Sequence, residues 1–324
     1  MKKLLAIMLV IMMVASMSVS AFAADDEYLI GYTAKSSTND PFQQFLAQAI
    51  IDYVEAAGHK AVYLQTDTGN ADTAQQAQQV ENLIIQGCDA IIINPCDEAT
   101  IISSLEACKE AGIPVVVCDT GVSEDCPTDL YITDVHTDNF AAAVKAGEAV
   151  KEKLGGTGKG IIVSGLDGNA VTKNRYEGFL AGLEGSEIEV VAVQNGEYNA
   201  DVALQAAENL LQAHPDVDFI YTVSDCMIDS ILQAIENNGA VNPDVVIMSY
   251  DGSAACTEYV IEGKVFGTIA QFPVNIGETC AQILIDVLNG DAQISDWDDK
   301  KFTDSGSQAI LPDNAADWLA NGAY

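Results

Sequence analysis

An α/β fold of two parallel sheets, carried in two lobes, is what the sequence predicts, and three observations predict it. Short runs rich in Ile and Val recur at intervals of roughly 25 to 30 residues, with segments of helical period between them. Helix-like segments stop at Ala57-Gly58, Gln86-Gly87 and Ala111-Gly112, with the glycine expected just beyond a helix C-terminus. After Asp138 the whole pattern starts again, and a chain of 324 residues is long enough for two cores.

The first strand is expected at residues 29–33, an apolar run that gives way to a polar loop. Asp40-Pro41-Phe42 then opens a helix over 41–57, Asp40 being a good N-cap and Pro41 suiting the first helical position. Strands at 61–65, 90–93, 114–118 and 130–133 alternate with helices at 72–85 and 100–111. A long helix over 138–154 leads into Gly155-Gly156-Thr157-Gly158-Lys159-Gly160. That run has no Ser or Thr after its Lys and precedes a strand, so it reads as a helix-to-strand turn and not as a phosphate loop. The second series places strands at 161–164, 189–193, 219–223, 245–249 and 265–270, and helices at 169–183, 201–213, 227–237, 254–262 and 273–288. No Ser- or Pro-rich linker divides the series, so several short crossovers are expected in place of one tether.

Lys2 and Lys3, an apolar run over residues 4–14 and the ending Ala21-Phe22-Ala23 make a signal peptide, cleaved after Ala23. The mature chain is expected to be exported, periplasmic or extracellular. No Cys lies in that segment, so neither a lipid anchor nor direct membrane insertion is expected. Asp and Glu number 48 against 14 Lys and Arg, a net charge of −34 that becomes −36 once Lys2 and Lys3 are removed. Such a charge argues against nucleic acid or an anionic membrane as partner and favours solubility outside the cell.

All eight cysteines lie beyond the signal peptide without a C-x-x-C, and most read as small buried apolar side chains. A bridge between Cys96 and Cys126, in neighbouring loops, is one candidate pairing. His59, His136 and His214 are scattered, and there is no H-E-x-x-H, no calcium-loop pattern and no G-x-S-x-G. No metal, no cofactor and no catalytic residue is expected, and the chain reads as a non-enzyme. His59 and His214 fall in turns and read as surface residues.

Open α/β sheets bind ligands beyond the carboxyl ends of their strands. There the sequence places Asp40, Asp119, Arg175, Tyr198, Ser224-Asp225, Asp251 and Gln271, drawn from both series. A carboxylate accepts from two hydroxyls at once, an Arg fork donates several hydrogen bonds, and an aromatic face covers the C–H surface of a sugar ring. Together they suit a small neutral polyhydroxylated ligand. Taken singly, each Asp is also a good cap or turn residue.

Asn39-Asp40-Pro41-Phe42, Ile93-Asn94-Pro95-Cys96-Asp97, Val117-Cys118-Asp119, Thr137-Asp138-Asn139, Asn174-Arg175-Tyr176-Glu177-Gly178-Phe179, Ala213-His214-Pro215-Asp216, Ser249-Tyr250-Asp251-Gly252 and Thr268-Ile269-Ala270-Gln271 resemble, in order, the signature segments of ribose-binding proteins of the type I periplasmic sugar-binding family. The resemblance covers the chain from Tyr28 to the last predicted strand. It implies two Rossmann-like lobes with parallel sheets joined by three crossovers, near residues 137–138, 271–272 and 301–302. One lobe would hold 25–137 plus 272–301, the other 138–271 plus 302–324. It also implies hinge closure on a monosaccharide or similar polyol and delivery to the membrane permease of an ABC transporter. The same fold can instead serve as a sensor, presenting bound sugar to a chemoreceptor or a histidine-kinase ectodomain. Carried over, Phe42 stacks on the sugar, Asp119 and Asp251 accept from hydroxyls, Arg175 donates, Tyr198 is an aromatic wall and Gln271 a polar contact. Ribose binders have Asn at Asp40, an aromatic at Gln43, Arg at Thr120 and Asn at Ser224. These departures predict a roomier, more acidic pocket, with three carboxylates against Arg175, which points away from ribose specifically and admits a hexose, deoxy-sugar, amino sugar or cyclitol equally well.

Overall fold

Two six-stranded sheets organise the chain in the computed structural model, which describes residues 27–38, 40–67 and 72–324. The signal peptide over 1–23 and Asn39 lie outside the described residues. The first sheet contains β1 (Leu29–Ala34), β2 (Lys60–Gln65), β3 (Ala90–Ile93), β4 (Val115–Cys118), β5 (Asp134–His136) and β11 (Phe302–Asp304), in the order β11-β5-β4-β3-β1-β2 with every pair parallel. The second contains β6 (Thr157–Ser164), β7 (Glu187–Asn195), β8 (Phe219–Thr222), β9 (Val246–Asp251), β10 (Gly267–Ala270) and β12 (Gln308–Ile310), in the order β12-β10-β9-β8-β6-β7. Only β12 runs antiparallel. The central strands β3 and β4 read AIII and VVVC and are buried at every residue, as strands covered by helices on both faces must be.

The chain leaves the first sheet after β5 and returns after β10, when helix α9 (Pro273–Asn289) packs beside α1 (Pro41–Ala56); Ile276, Cys280 and Leu284 share a core with Leu46 and Ile50. It crosses again after β11. Because β11 pairs with β5, this third crossing falls at residues 305–307, not at 301–302 where the resemblance put it. The remaining helices are α2 (Thr73–Gln86), α3 (Ile102–Glu110), α4 (Asn139–Leu154), α5 (Ala170–Leu183), α6 (Ala200–Ala213), α7 (Ile228–Asn237), α8 (Ala254–Ile261) and α10 (Ala315–Asn321).

Several expectations are corrected. The strand read at 130–133 lies at Asp134–His136. Ile132 still donates to Val115 O and Thr133 O accepts from Val117, but only the next three residues also find β11. The glycine-rich run is a turn only at Gly155 and Gly156; β6 begins at Thr157, and Gly160 lies under the Phe219 ring where a Cβ has no room. Cys96 and Cys126 are not bridged: Cys96 lies beside Thr66, the Cys126 thiol faces Pro127 O, and all eight cysteines are thiols. His59 is buried beside the Tyr28 ring and accepts from Tyr28 N.

Helices α4 and α5 cross at close range through Gly147 and Gly182; a Cβ on Gly182 would stand 2.9 Å from the Gly147 Cα and closer still to Val144 O. Gly182→Ala is expected to destabilise by about 1–3 kcal/mol in urea unfolding, because overpacking outweighs the gain of about 1 kcal/mol in helix propensity.

Asp134 on β5 is buried, and its Oδ1 has no hydrogen-bond partner. Burial pushes its carboxyl up from 3.8 to about 6, with the nearby His136 opposing the rise. A raised carboxyl binds its proton more tightly in the folded state, so this stabilisation is complete below the unfolded value and is lost as pH rises through about 6. Asp134→Asn is therefore expected to raise the melting temperature relative to wild type at pH 7, by an amount worth up to about 3 kcal/mol. The advantage should vanish near pH 4.

Candidate functional site

Asp119 follows β4, at φ 63°, at the centre of a tight turn in which Thr120 N donates to Cys118 O (2.8 Å). Its Oδ2 accepts from Gln43 Nε2 (2.9 Å) and Asn94 Nδ2 (3.1 Å) and pairs with Lys35 Nζ at 3.0 Å. Lys35 also bonds Thr120 Oγ1. Asn94, fully buried after β3, donates to Gln43 Oε1 as well and so fixes both groups. Burial alone would raise the Asp119 pKa, but Lys35 and these donors outweigh it and hold the carboxyl below its ordinary value. Among the described residues, no hydrogen bond of Asp119 uses Oδ1. Asp40 caps α1, its Oδ1 accepting from Gln43 N (3.2 Å), while Oδ2 makes no hydrogen bond among the described residues.

Arg175, on α5, is buried with its guanidinium 3.9 Å from the centre of the Tyr250 ring. Nε donates to Asn139 Oδ1 (2.8 Å), and Nη1 to Val223 O (2.8 Å) and Asp251 Oδ1 (2.9 Å). Among the described residues, none of its hydrogen bonds uses Nη2. Asp251, at the end of β9 with φ 124°, also accepts from Gln271 Nε2 (2.8 Å), Ser224 Oγ (2.6 Å) and Asp225 N (3.2 Å). Four protein donors fill a carboxylate's capacity, so Asp251 acts as the counter-ion that orients Arg175. A ligand hydroxyl reaching it must displace one of them. Asp251 raises the Arg175 pKa against the lowering effect of burial. Tyr198, at φ 55°, shares a hydrogen bond of 2.8 Å with Thr172 Oγ1. Asp225 faces away into a staple of Ser253 N, Ser253 Oγ and Thr268 Oγ1; burial and the neighbouring Asp251 push it up to about 6.

The two clusters share one electrostatic neighbourhood. Burial raises the Asp40 pKa, and Asp119 and Asp251, from opposite sheets, add to it. Among the described residues other than glycine, positive φ occurs at Asp119, Glu197, Tyr198 and Asp251. Three of these four are residues singled out from the sequence, and such strained backbone gathers at functional sites.

Arg175, Asp251, Ser224 and Gln271 thus form one hydrogen-bonded group. Asp119 and Asp40 belong to the facing group, and Phe42, half-buried in the first turn of α1, packs against Tyr324. Sequence reading missed Lys35: its ammonium stands beside Asp119 and Thr120, Thr120 being the position without the expected Arg, so a second cation joins Arg175 among the candidate residues. A cation directly after a strand, in a chain with only 14 Lys and Arg, was the available signal. Asn94 and Asn139 were quoted in motifs without a role; each orients a charged side chain. Among the described residues, no group of three or more His, Cys, Asp or Glu is placed to hold a metal ion, and no helix is long and apolar enough to cross a membrane.

Residues 30–292 match the periplasmic binding protein domain family. The ribose import binding protein of Bacillus subtilis is 30% identical over 264 residues, 82% of this chain and 83% of that one. The D-allose-binding periplasmic protein of Escherichia coli is 27% identical over 278 residues, 83% of this chain and 86% of that one. Among solved structures, an ABC transporter solute binding protein of Mycobacterium smegmatis with bound glycerol superposes with a TM-score of 0.79 at 28% identity, covering 92% of this chain and 99% of that one. The order of strands, the match along the chain and the kinship with sugar binders agree, and the chain belongs to the periplasmic binding protein family as a type I sugar-binding protein allied to the ribose-binding proteins.

Proposed function

We propose that this protein captures a monosaccharide or similar polyol between two lobes and delivers it to the permease of an ABC transporter. The observation that carries the reading is a set of hydrogen-bonding positions at the carboxyl edges of both sheets that no partner among the described residues fills: Asp40 Oδ2, Asp119 Oδ1 and Arg175 Nη2, with the Phe42 ring two residues from Asp40. Acceptors for hydroxyl protons, a donor for hydroxyl oxygens and an aromatic face are what a neutral sugar needs. With Lys35 and Arg175 against three carboxylates, the site is close to balanced, which favours an uncharged ligand. The relatives support the class: they are named as binding proteins for ribose and D-allose, and none of those names describes an enzyme.

The lobes follow the sheets, 27–137 with 272–304 and 138–271 with 305–324, and ligand contacts from both stabilise the closed arrangement. Export through cleavage after Ala23 completes the reading, and intact-mass measurement of secreted protein checks it.

A thermal-shift screen over pentoses, hexoses, polyols and amino sugars tests the function. A true ligand at 100 times its Kd stabilises by about 2.7 kcal/mol and is recovered chemically unchanged. A panel without a single stabilising sugar or polyol would refute the proposal.

A further inference from the structure

Tyr324 lies outside every motif that resembles the ribose-binding proteins, yet it is only 8% exposed. Its phenol donates to the backbone carbonyl of Asp251 at 2.7 Å, and its own carbonyl accepts from Ala254 N at 2.8 Å. Both anchors belong to the second sheet and the helix that follows it. The ring reaches the other half of the molecule, edge-on to Phe42 with centroids 5.5 Å apart and tilted to Phe45 at 6.2 Å, both on α1. Burial raises the phenol's pKa, and Asp251, Asp225, Arg175 and Asp40 all act on it, so the side chain sits among the charged groups of the site.

We infer that Tyr324 is a specificity-determining residue of the candidate sugar site, an aromatic wall fixed to the second lobe that faces Phe42 and limits the size of ligand on which the lobes close. The inference rests on the sugar-binding reading. The hydroxyl is already committed to Asp251, so the side chain offers a ligand its ring and not its oxygen, a surface matched to sugar C–H groups. Where the ribose-binding proteins carry a second aromatic after Phe42 this chain has Gln43, whose amide bonds Asp119 and Asn94. Tyr324 supplies that aromatic from the opposite side. A pocket judged roomy from Gln43 and Thr120 is in this way narrowed again. Anchored at both its backbone and its hydroxyl, the residue is a built wall and not a tail lying loosely in an empty cleft.

The test uses the full-length mature protein, the best ligand from the sugar and polyol screen, calorimetry, and the same screen repeated on Tyr324→Ala, Tyr324→Phe and, where alanine does not fold, Tyr324→Leu. Loss of the flat ring is expected to weaken the wild-type ligand about tenfold, as for an aromatic contact of roughly 1.4 kcal/mol, and to move the rank order toward larger sugars. Tyr324→Phe, which keeps the ring, should lose less than Tyr324→Ala or Tyr324→Leu. Equal or tighter binding by the ring-less variants, with the rank order unchanged, overturns the inference and leaves the function standing. Tighter binding in particular would identify Tyr324 as a plug. If wild type binds no sugar or polyol at all, the proposed function falls and the inference falls with it.

Discussion

Arg175→Ala is expected to weaken sugar binding by about 2–4 kcal/mol, because the buried charged group proposed to donate to the ligand is lost. In calorimetry with the ligand identified by the screen, this is roughly a 30- to 1,000-fold rise in Kd. The fold should suffer too. Asp251 keeps Gln271, Ser224 and Asp225 N as donors but loses its cation, and breaking a buried pair from one side costs about 3–5 kcal/mol. Arg175→Lys separates charge from shape. A lysine restores the charge but cannot bond Asn139, Val223 O and Asp251 while still offering a nitrogen to the ligand. Binding should therefore stay severely impaired in Arg175→Lys while part of the stability returns. Wild-type affinity in Arg175→Ala would remove it from the site.

Asp119→Ala carries the second largest effect, an expected loss of about 2–4 kcal/mol in binding through the missing acceptor at Oδ1. It also strands Lys35, whose side chain is 15% exposed and then keeps Thr120 as its hydrogen-bond partner among the described residues. Lys35→Met combined with Asp119→Leu tests whether the carboxylate serves ligand or fold. The double variant should regain stability lost by Asp119→Ala, since replacing a buried pair with apolar groups is often neutral, but not binding. Recovery of binding in the double variant would show that Asp119 acts only as the partner of Lys35.

Much of the fold was legible because a parallel sheet under helices writes itself locally. β3 and β4 are uninterrupted apolar runs between helices with glycine stops, and their positions were read to within a residue. β11, β12 and α10 were not anticipated. They are short segments, and β11 and β12 exist because β5 and β10 offer edges to pair with. The site was half legible for a similar reason. Residues beyond strand ends could be named from position alone, but their partners come from other strands. Lys35 and Asp119 are 84 residues apart in the chain numbering, and nothing local announces that they meet. Asp40 could be read as cap or ligand contact; the structure gives one oxygen to the cap, and the other has no hydrogen bond among the described residues.

The sequence by itself determined the alternation of strands and helices, the doubling of that pattern, and the residue types gathered at strand ends. These depend on periodicity, capping and turn chemistry, which act over a few residues. Only the tertiary structure decided which valences of those residues remain open. Asp251 is filled by four donors, Asp119 keeps an oxygen, Lys35 restores a cation, and Tyr324 returns an aromatic from the far end of the described chain. Hydrogen-bond capacity is finite and is spent on whatever neighbour the fold delivers, so it becomes countable only when every neighbour is in place.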